Sequence, residues 1–579
     1  MLTGNAQRAA SDSASPATAG KAGGRVDKFL HLVLLALVAL MWLPRTRGPI
    51  DLRWDGGVYY ILGTSLAEGK GYKLLSEPGE IDATQYPPLF PAVIAAHQMV
   101  LGTSDPLVVG RWLRLTFFLV FLLFIHATFL LLRTCFSAKY AFFATLLCLF
   151  NLHLYFMSDL CFPETLFGLT TVLCVILNSD ARKRVRPVLA AVFAIASYAI
   201  RTIGFALLAA WIIESLLQKK YRSMALRAAV AALPVLCWQS YIHAVESSPE
   251  YRNPAYTYQR ADYMFYNVSY TRNISLRDPF IPEKGYLTWY TALRRFGHNL
   301  IRLPVSAGEA VSIKRDYWEL RWLPFKRSTS AARAIEWVVL MILALLGCAV
   351  FAGLVLLLIR RQWLVPVYVS IYLAGICMTP WPQQFTRYLA PLAPFLVMAL
   401  FTCLVSLKDA ARWVPTRANK IASASIMIGV LALIIAQQLA GLFEVYIAEH
   451  QRVSYDQNGR TVSYRLFFYT DSYKALDEAL DWLKGQARPG EVAAASMPHW
   501  VYLRTGLKAV MPPFEADPAV EQDLIDSVPV AYLIVDEGAL DTRSYLLPML
   551  RRFPDRWQHV FAGAQGKTHI YRRVNPQPE

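Results

Sequence analysis

Asp51-Leu52-Arg53-Trp54-Asp55-Gly56-Gly57-Val58-Tyr59-Tyr60 follows the first long apolar run of the chain, and Tyr86-Pro87-Pro88-Leu89-Phe90-Pro91 closes the same stretch. This segment is too polar to lie in lipid and too apolar for an ordinary loop. Asp55 stands at its centre, with two interpretations open. Asp is a favoured N-cap, and Val58, Ile61, Leu62, Ser65 and Leu66 follow helical spacing after it. That run reads as an amphipathic helix on the membrane surface, ended by Gly69 and Gly71. The alternative is a functional carboxylate, because ionisable groups at bilayer depth are costly and tend to be kept for a purpose.

The rest of the chain supports a membrane setting. Of its 579 residues 55% are hydrophobic, and the mean hydropathy is +0.33, too apolar for a soluble enzyme of this size. The formal charge of +17 invites a nucleic-acid reading. That reading needs one basic solvated face, whereas many Lys and Arg residues here sit in short clusters between apolar runs, so no nucleic-acid partner is expected. The eight cysteines, Cys135, Cys148, Cys161, Cys174, Cys237, Cys348, Cys377 and Cys403, lie in or beside apolar segments, and none pairs at zinc-like spacing. They read as small buried hydrophobes.

Residues 1–24 are rich in Ala, Ser and Gly and read as a disordered cytoplasmic N-terminus. Arg25 and Lys28 precede the apolar run Phe29–Leu43, and Arg45 and Arg47 follow it. No small-residue cleavage site follows, which favours an uncleaved first span over a signal peptide. Further apolar runs near the length a bilayer requires, about 20 residues, cover 112–133, 140–157, 163–178, 187–200, 202–217, 225–243, 333–359, 363–380, 388–407 and 421–443. Together they make about eleven transmembrane helices. With the N-terminus inside, the basic clusters at Arg133 and Lys139, Arg182–Arg186, Lys219–Arg222, Arg360 and Arg361, and Lys408–Lys420 all fall on inside connections. The 44–111 loop, the 158–162 bend, the turn at Arg201, the 244–332 loop, the Pro380–Arg387 turn and the tail then face outward. The fold class expected is an α-helical polytopic membrane protein with a small C-terminal α/β extracytoplasmic domain, the transmembrane domain covering 25–446 and the tail 447–579.

In the first outer loop, Pro91 to Leu101 reads as a second interfacial helix. The 244–332 loop is crowded with Tyr, Trp and Arg, suited to a headgroup layer or a sugar platform. It holds two glycosylation-type triplets, Asn267-Val268-Ser269 and Asn273-Ile274-Ser275. In the tail, Asp471–Lys484 has the spacing of a capped amphipathic helix, and Glu491–Ser496, Val530–Val535 and Thr568–Arg572 read as strands. The tail carries no phosphate loop, metal-spaced cluster or nucleophile elbow, so a lid or docking module is the simplest reading of it.

Three polar groups recur at the outer face. One is Asp55. The second is Met157-Ser158-Asp159-Leu160-Cys161-Phe162-Pro163-Glu164, where Glu164 also suits the first turn of a helix opened by Pro163. The third is Pro380-Trp381-Pro382-Gln383-Gln384-Phe385-Thr386-Arg387-Tyr388-Leu389-Ala390-Pro391. Arg387 at a helix start opposes the dipole, and a bound anion such as phosphate would compensate it. Snorkelling to the interface is the plainer explanation. Arg201, alone between two apolar runs, and Lys70 are weaker candidates of the same kind.

In this order the motifs resemble the GT-C superfamily of polytopic glycosyltransferases, in particular the family-39-like branch of the protein O-mannosyltransferases and the lipid A aminoarabinose transferase. The matching elements are Asp55 with Tyr59, the Tyr86–Leu89 segment, the Pro163-Glu164 pair and the Arg387–Pro391 segment. The resemblance covers roughly residues 29–445. Many relatives carry an acidic pair in the first loop, where Asp55 is here followed by Gly56, so Asp55 acts alone or with Asp159. The resemblance implies transfer of a sugar from a polyprenyl-phosphate-linked donor to a glycan, lipid or protein acceptor on the outer side of the plasma (inner) membrane. Asp55 and Asp159 are the implied catalytic residues, with Asp55 the general base. Tyr59, Lys70, Tyr86, Glu164, Arg201, Arg387 and Tyr388 are the implied substrate contacts. No His or Cys cluster calls for a metal, and a divalent cation at Asp159 and Glu164 is the one cofactor candidate. The competing functions are a transporter or flippase of lipid-linked sugar, and a docking protein in which Asp55 is a cap and Arg387 an anchor.

Overall fold

A computed structural model describes residues 16–179, 185–322, 329–410, 417–447, 450–457, 460–536, 538–563 and 566–574. The segment expected to be disordered lies outside the described residues as far as Ser15, and the first helix begins at Pro16.

Six helices among the described residues are long and apolar enough to cross a bilayer: Val26–Arg45, Pro106–Arg133, Tyr221–Glu246, Ala332–Ile359, Pro382–Asp409 and Met427–Tyr446. A seventh candidate is the pair Ala138–Leu149 and Leu152–Ser158, bent by 63°. Local chemistry accounts for several boundaries. Asp105 caps the Pro106–Arg133 helix by accepting from Leu107 N at 2.9 Å, Pro106 occupies its first turn, and Arg133 closes it. Asn151 makes a second cap at the bend, accepting from Leu154 N at 2.9 Å.

The expected runs at 163–178, 187–200, 202–217 and 363–380 are helical but short. Their helices, Glu164–Ser179, Val185–Ile200, Phe205–Leu217 and Leu364–Cys377, have 13 to 16 residues. At about 1.5 Å per residue they reach roughly 20–24 Å, less than the ~30 Å hydrocarbon core. The count of eleven full spans is therefore not established. The break at Arg201 is the cause in one case: Arg201 is extended and Thr202–Gly204 forms a single tight turn before the next helix.

The segment after Asp55 departs from the interfacial helix expected. Asp55–Ala67 is a helix, but Gly56 through Ser65 are all buried. Leu89–Leu101 covers one side of it and the Pro498–Thr505 helix of the tail covers another. An apolar stripe looks the same in sequence whether lipid or protein covers it.

The tail forms a five-stranded sheet in the order Lys508–Val510, Val492–Ala494, Val530–Asp536, Thr568–Arg573, Trp557–Ala562. The first three strands are parallel and the last two join antiparallel. Before it, His450–Gln457 and Arg460–Phe467 pair as an antiparallel hairpin. The sheet domain is joined closely to the first loop. Ala509 N donates to Ser76 O at 2.8 Å, and Lys508 Nζ pairs with Glu80 at 2.7 Å. Arg53, 1% exposed, is held by Asp51 and donates to Phe467 O at 2.7 Å.

Candidate active site

Trp54 opens the site. Its φ of 57° is unusual for a bulky residue, and its indole Nε1 donates to Tyr473 OH at 2.8 Å, which ties the turn to the tail. The turn makes Asp55 the first helical residue, with Trp54 at the N-cap position and no side-chain cap there. The Asp55 carboxylate is used elsewhere. Its Oδ1 accepts from Tyr266 OH at 3.0 Å and its Oδ2 accepts from Arg387 Nη2 at 2.7 Å. The cap explanation of Asp55 is therefore set aside in favour of a tertiary ion pair.

The network continues inward. Arg387 Nε donates to Glu164 Oε1 at 2.6 Å, and Arg201 Nη1 lies 2.6 Å from the same oxygen, out of line for a hydrogen bond. Glu164 Oε2 is buried without a hydrogen-bond partner. Two carboxylates thus face two guanidinium groups. Phe162 stacks under Arg387, with the guanidinium carbon 4.2 Å from the ring centroid. Burial alone raises the Asp55 carboxyl, but the Arg387 charge and the hydrogen bonds from Arg387 and Tyr266 outweigh it and hold the group below its usual value. Asp55 is an anion at neutral pH.

These groups open onto a cavity of about 810 Å³. Asp55, Tyr59, Tyr86, Arg201, Arg387 and Tyr388 all line it, so the structure brings together six of the residues singled out from sequence. The Tyr59 and Tyr86 rings lie 4.5 Å apart. Glu164 stands behind the two arginines and is fully buried. The remaining wall is largely apolar, including Ile203, Ile371, Met378 and Phe265. Polar side chains in an apolar hollow suit a ligand with a charged head and a hydrocarbon body.

In fold the chain is similar to solved structures. ArnT from Cupriavidus metallidurans, bound to undecaprenyl phosphate, is similar with a TM-score of 0.51 and 11% identity, over 95% of this chain and 99% of that one. The Archaeoglobus fulgidus oligosaccharyltransferase in complex with Zn and sulfate has a TM-score of 0.49 and 12% identity, over 94% of this chain and 73% of its own. The fold is that of ArnT. No protein-family model matches the sequence, and no curated protein is similar to it in sequence.

Two residues expected at the site lie elsewhere. Asp159 does not line the cavity. It is 2% exposed and lies between Arg45 and Arg114, with Arg114 Nη2 at 2.8 Å from its Oδ1. The Arg45 guanidinium also covers the Phe467 ring, so this cluster joins the first loop, the 158–162 bend and the hairpin of the tail. Asp159 was paired with Asp55 on sequence because both sit at one membrane face; two arginines from other segments claim it. Lys70 is half exposed on the surface and pairs with Glu68 at 2.9 Å. The residues do not fit the divalent cation considered for Asp159 and Glu164. Each carboxylate already faces two arginines, and no group of three His, Cys, Asp or Glu residues suited to a metal occurs among the described residues. Both sequon asparagines are buried and donate to backbone oxygens, Asn267 to Gln259 and Asn273 to Asp262.

Sequence reading missed Tyr266 and His499. Tyr266 is one of many aromatics in its loop, and nothing in its spacing marked it. His499 comes from the tail, where a single histidine on a short helix carries no pattern.

Proposed function

We propose that this chain is a membrane glycosyltransferase that moves a sugar from a polyprenyl-phosphate carrier to an acceptor hydroxyl on the outer side of the plasma membrane. The carrying observation is that Asp55 and Arg387, 332 positions apart in sequence, meet in one largely apolar cavity. ArnT, similar in fold, is bound to undecaprenyl phosphate. A polyprenyl tail partitions into lipid and leaves its phosphate at headgroup depth, where Arg387 and Arg201 supply guanidinium donors.

In the proposed reaction the acceptor oxygen attacks the anomeric carbon and gives its proton to Asp55. The bond between that carbon and the phosphate oxygen breaks, and its electron pair leaves with the carrier. The phosphodiester carries one negative charge and the departing monoester two, so Arg387 and Arg201 are better matched to product than to donor. Asp55 is a weak base while Arg387 is paired with it. A phosphate that draws charge from Arg387 relaxes that hold and strengthens the base when donor is present. Glu164, behind both arginines, acts as a positioning residue. In this reading the N-terminus lies in the cytoplasm and the sheet domain outside, where its residues line part of the cavity.

A flippase for the same carrier also needs a cavity with arginines, but not a base. Mass spectrometry of carrier lipids in membranes with and without the protein separates the two. Protein-dependent conversion of polyprenyl-phosphate sugar to polyprenyl phosphate, with sugar gained on an acceptor, is expected. Redistribution of intact donor between leaflets without conversion removes the transferase reading.

A further inference from the structure

His499 belongs to the tail, yet it lines the same cavity as Asp55. It is 2% exposed, its ring has a weak hydrogen-bonding contact to the Trp54 main chain, and neither ring nitrogen has a hydrogen bond of good geometry among the described residues. An unsatisfied buried imidazole is costly, and such exceptions concentrate where a ligand completes them. Two neighbours fix its place. Tyr266, which donates to Asp55, presents its ring edge-on to the imidazole at 5.4 Å. Gly57, two residues after Asp55, leaves the space the ring occupies: a Cβ there would stand 2.6 Å from His499 Cδ2. The same Cβ would stand 3.3 Å from Cδ1 of Leu503, one turn after His499 on the same short helix.

We infer that His499 is a substrate-contacting residue, hydrogen-bonding an uncharged hydroxyl, of the transferred sugar or of the acceptor, beside Asp55. The inference rests on the transferase reading above. Burial pushes the ring down to about 4, so at neutral pH it is uncharged and offers one donor and one acceptor, the complement of a hydroxyl group. The tail then supplies part of the reaction chamber, and Gly57 is required because a larger residue would expel the ring.

The test uses the full chain in detergent, with undecaprenyl phosphate and a lipid extract containing the cells' own polyprenyl-phosphate sugars as probes. His499→Phe keeps the ring and removes both nitrogens, and His499→Gln restores a donor and an acceptor. The Phe variant is expected to lose about tenfold or more in release of undecaprenyl phosphate, with Gln recovering part of it. Binding of undecaprenyl phosphate itself stays within about twofold of wild type, since its phosphate is held by the arginines. If the hydroxyl is the donor sugar's, the Phe variant also loses its preference for sugar-linked over bare carrier; if it is the acceptor's, that preference stays and only turnover falls. If the Phe variant does not fold, His499→Leu compared with His499→Gln gives the same contrast. Full turnover in a folded Phe or Leu variant overturns the inference and leaves the transferase standing. A wild-type protein that neither binds undecaprenyl phosphate nor releases it overturns the transferase reading, and this assignment with it.

Discussion

Asp159→Asn separates a carboxylate that holds the fold together from one that reacts. Asp159, 2% exposed, faces Arg45 and Arg114, whose side chains are both 0% exposed. The amide cannot balance two buried guanidinium charges. Breaking a buried pair from one side costs about 3–5 kcal/mol, mostly for the charge left behind. At an unfolding entropy of about 2 cal/mol/K per residue over 579 residues, about 1 °C is lost per kcal/mol, so the expected fall in apparent melting temperature is on the order of 3–5 °C. The assay is thermal unfolding of the purified chain in detergent, paired with turnover per folded molecule well below the melting range. Melting is expected to fall and turnover per folded molecule to stay near wild type. Asp55→Asn should show the opposite pattern, because Arg387 keeps Glu164 as a partner. An Asp159→Asn protein that melts normally but does not turn over would refute this division and return Asp159 to the chemistry.

Arg387→Ala should weaken undecaprenyl phosphate binding about 10- to 100-fold in a direct binding titration, with Arg387→Lys in between because it keeps the charge but not the planar fork; unchanged binding would place the phosphate elsewhere. Glu77, buried in the first loop and bonded to Tyr256 at 2.7 Å, is raised to about 7 by burial. Its folded value lies above the unfolded one, so its stability contribution is complete below pH 4.5 and is lost as pH rises toward 7. Glu77→Gln should flatten that fall in melting temperature, and a parallel curve would show that Glu77 does not titrate there. His499 acts with the other sign: held near 4 against 6.5 unfolded, it destabilises the fold as pH drops through that window, by roughly 3 kcal/mol at about 1.4 per unit. His499→Phe should lose that acid sensitivity in the same melting series.

The fold class could be read because lipid burial writes itself into long apolar runs, and six of the runs expected are full-length helices. Asp55, Arg387 and Arg201 stood out because each is a charged residue between such runs, Tyr59 and Tyr86 only through the resemblance to the glycosyltransferases, and the cavity gathers them. Span lengths were harder to judge, since Arg201 breaks one apolar stretch into two short helices without changing its composition. Asp159 misled because depth along the membrane normal says nothing about lateral neighbours, and Arg45 and Arg114 are set by tertiary packing. Tyr266 and His499 were invisible for the same reason. Each is placed by contact between distant segments, and nothing in the sequence marks Gly57 as the position that makes room for the imidazole.

The most direct test of the account is release of undecaprenyl phosphate from its sugar-linked form by wild-type and Asp55→Asn protein under single-turnover conditions. General-base help is worth about 10²–10⁴-fold, and the Asn variant is expected to slow by that much while binding the carrier normally. An Asn variant that releases the carrier at the wild-type rate would contradict the claim that Asp55 takes the proton.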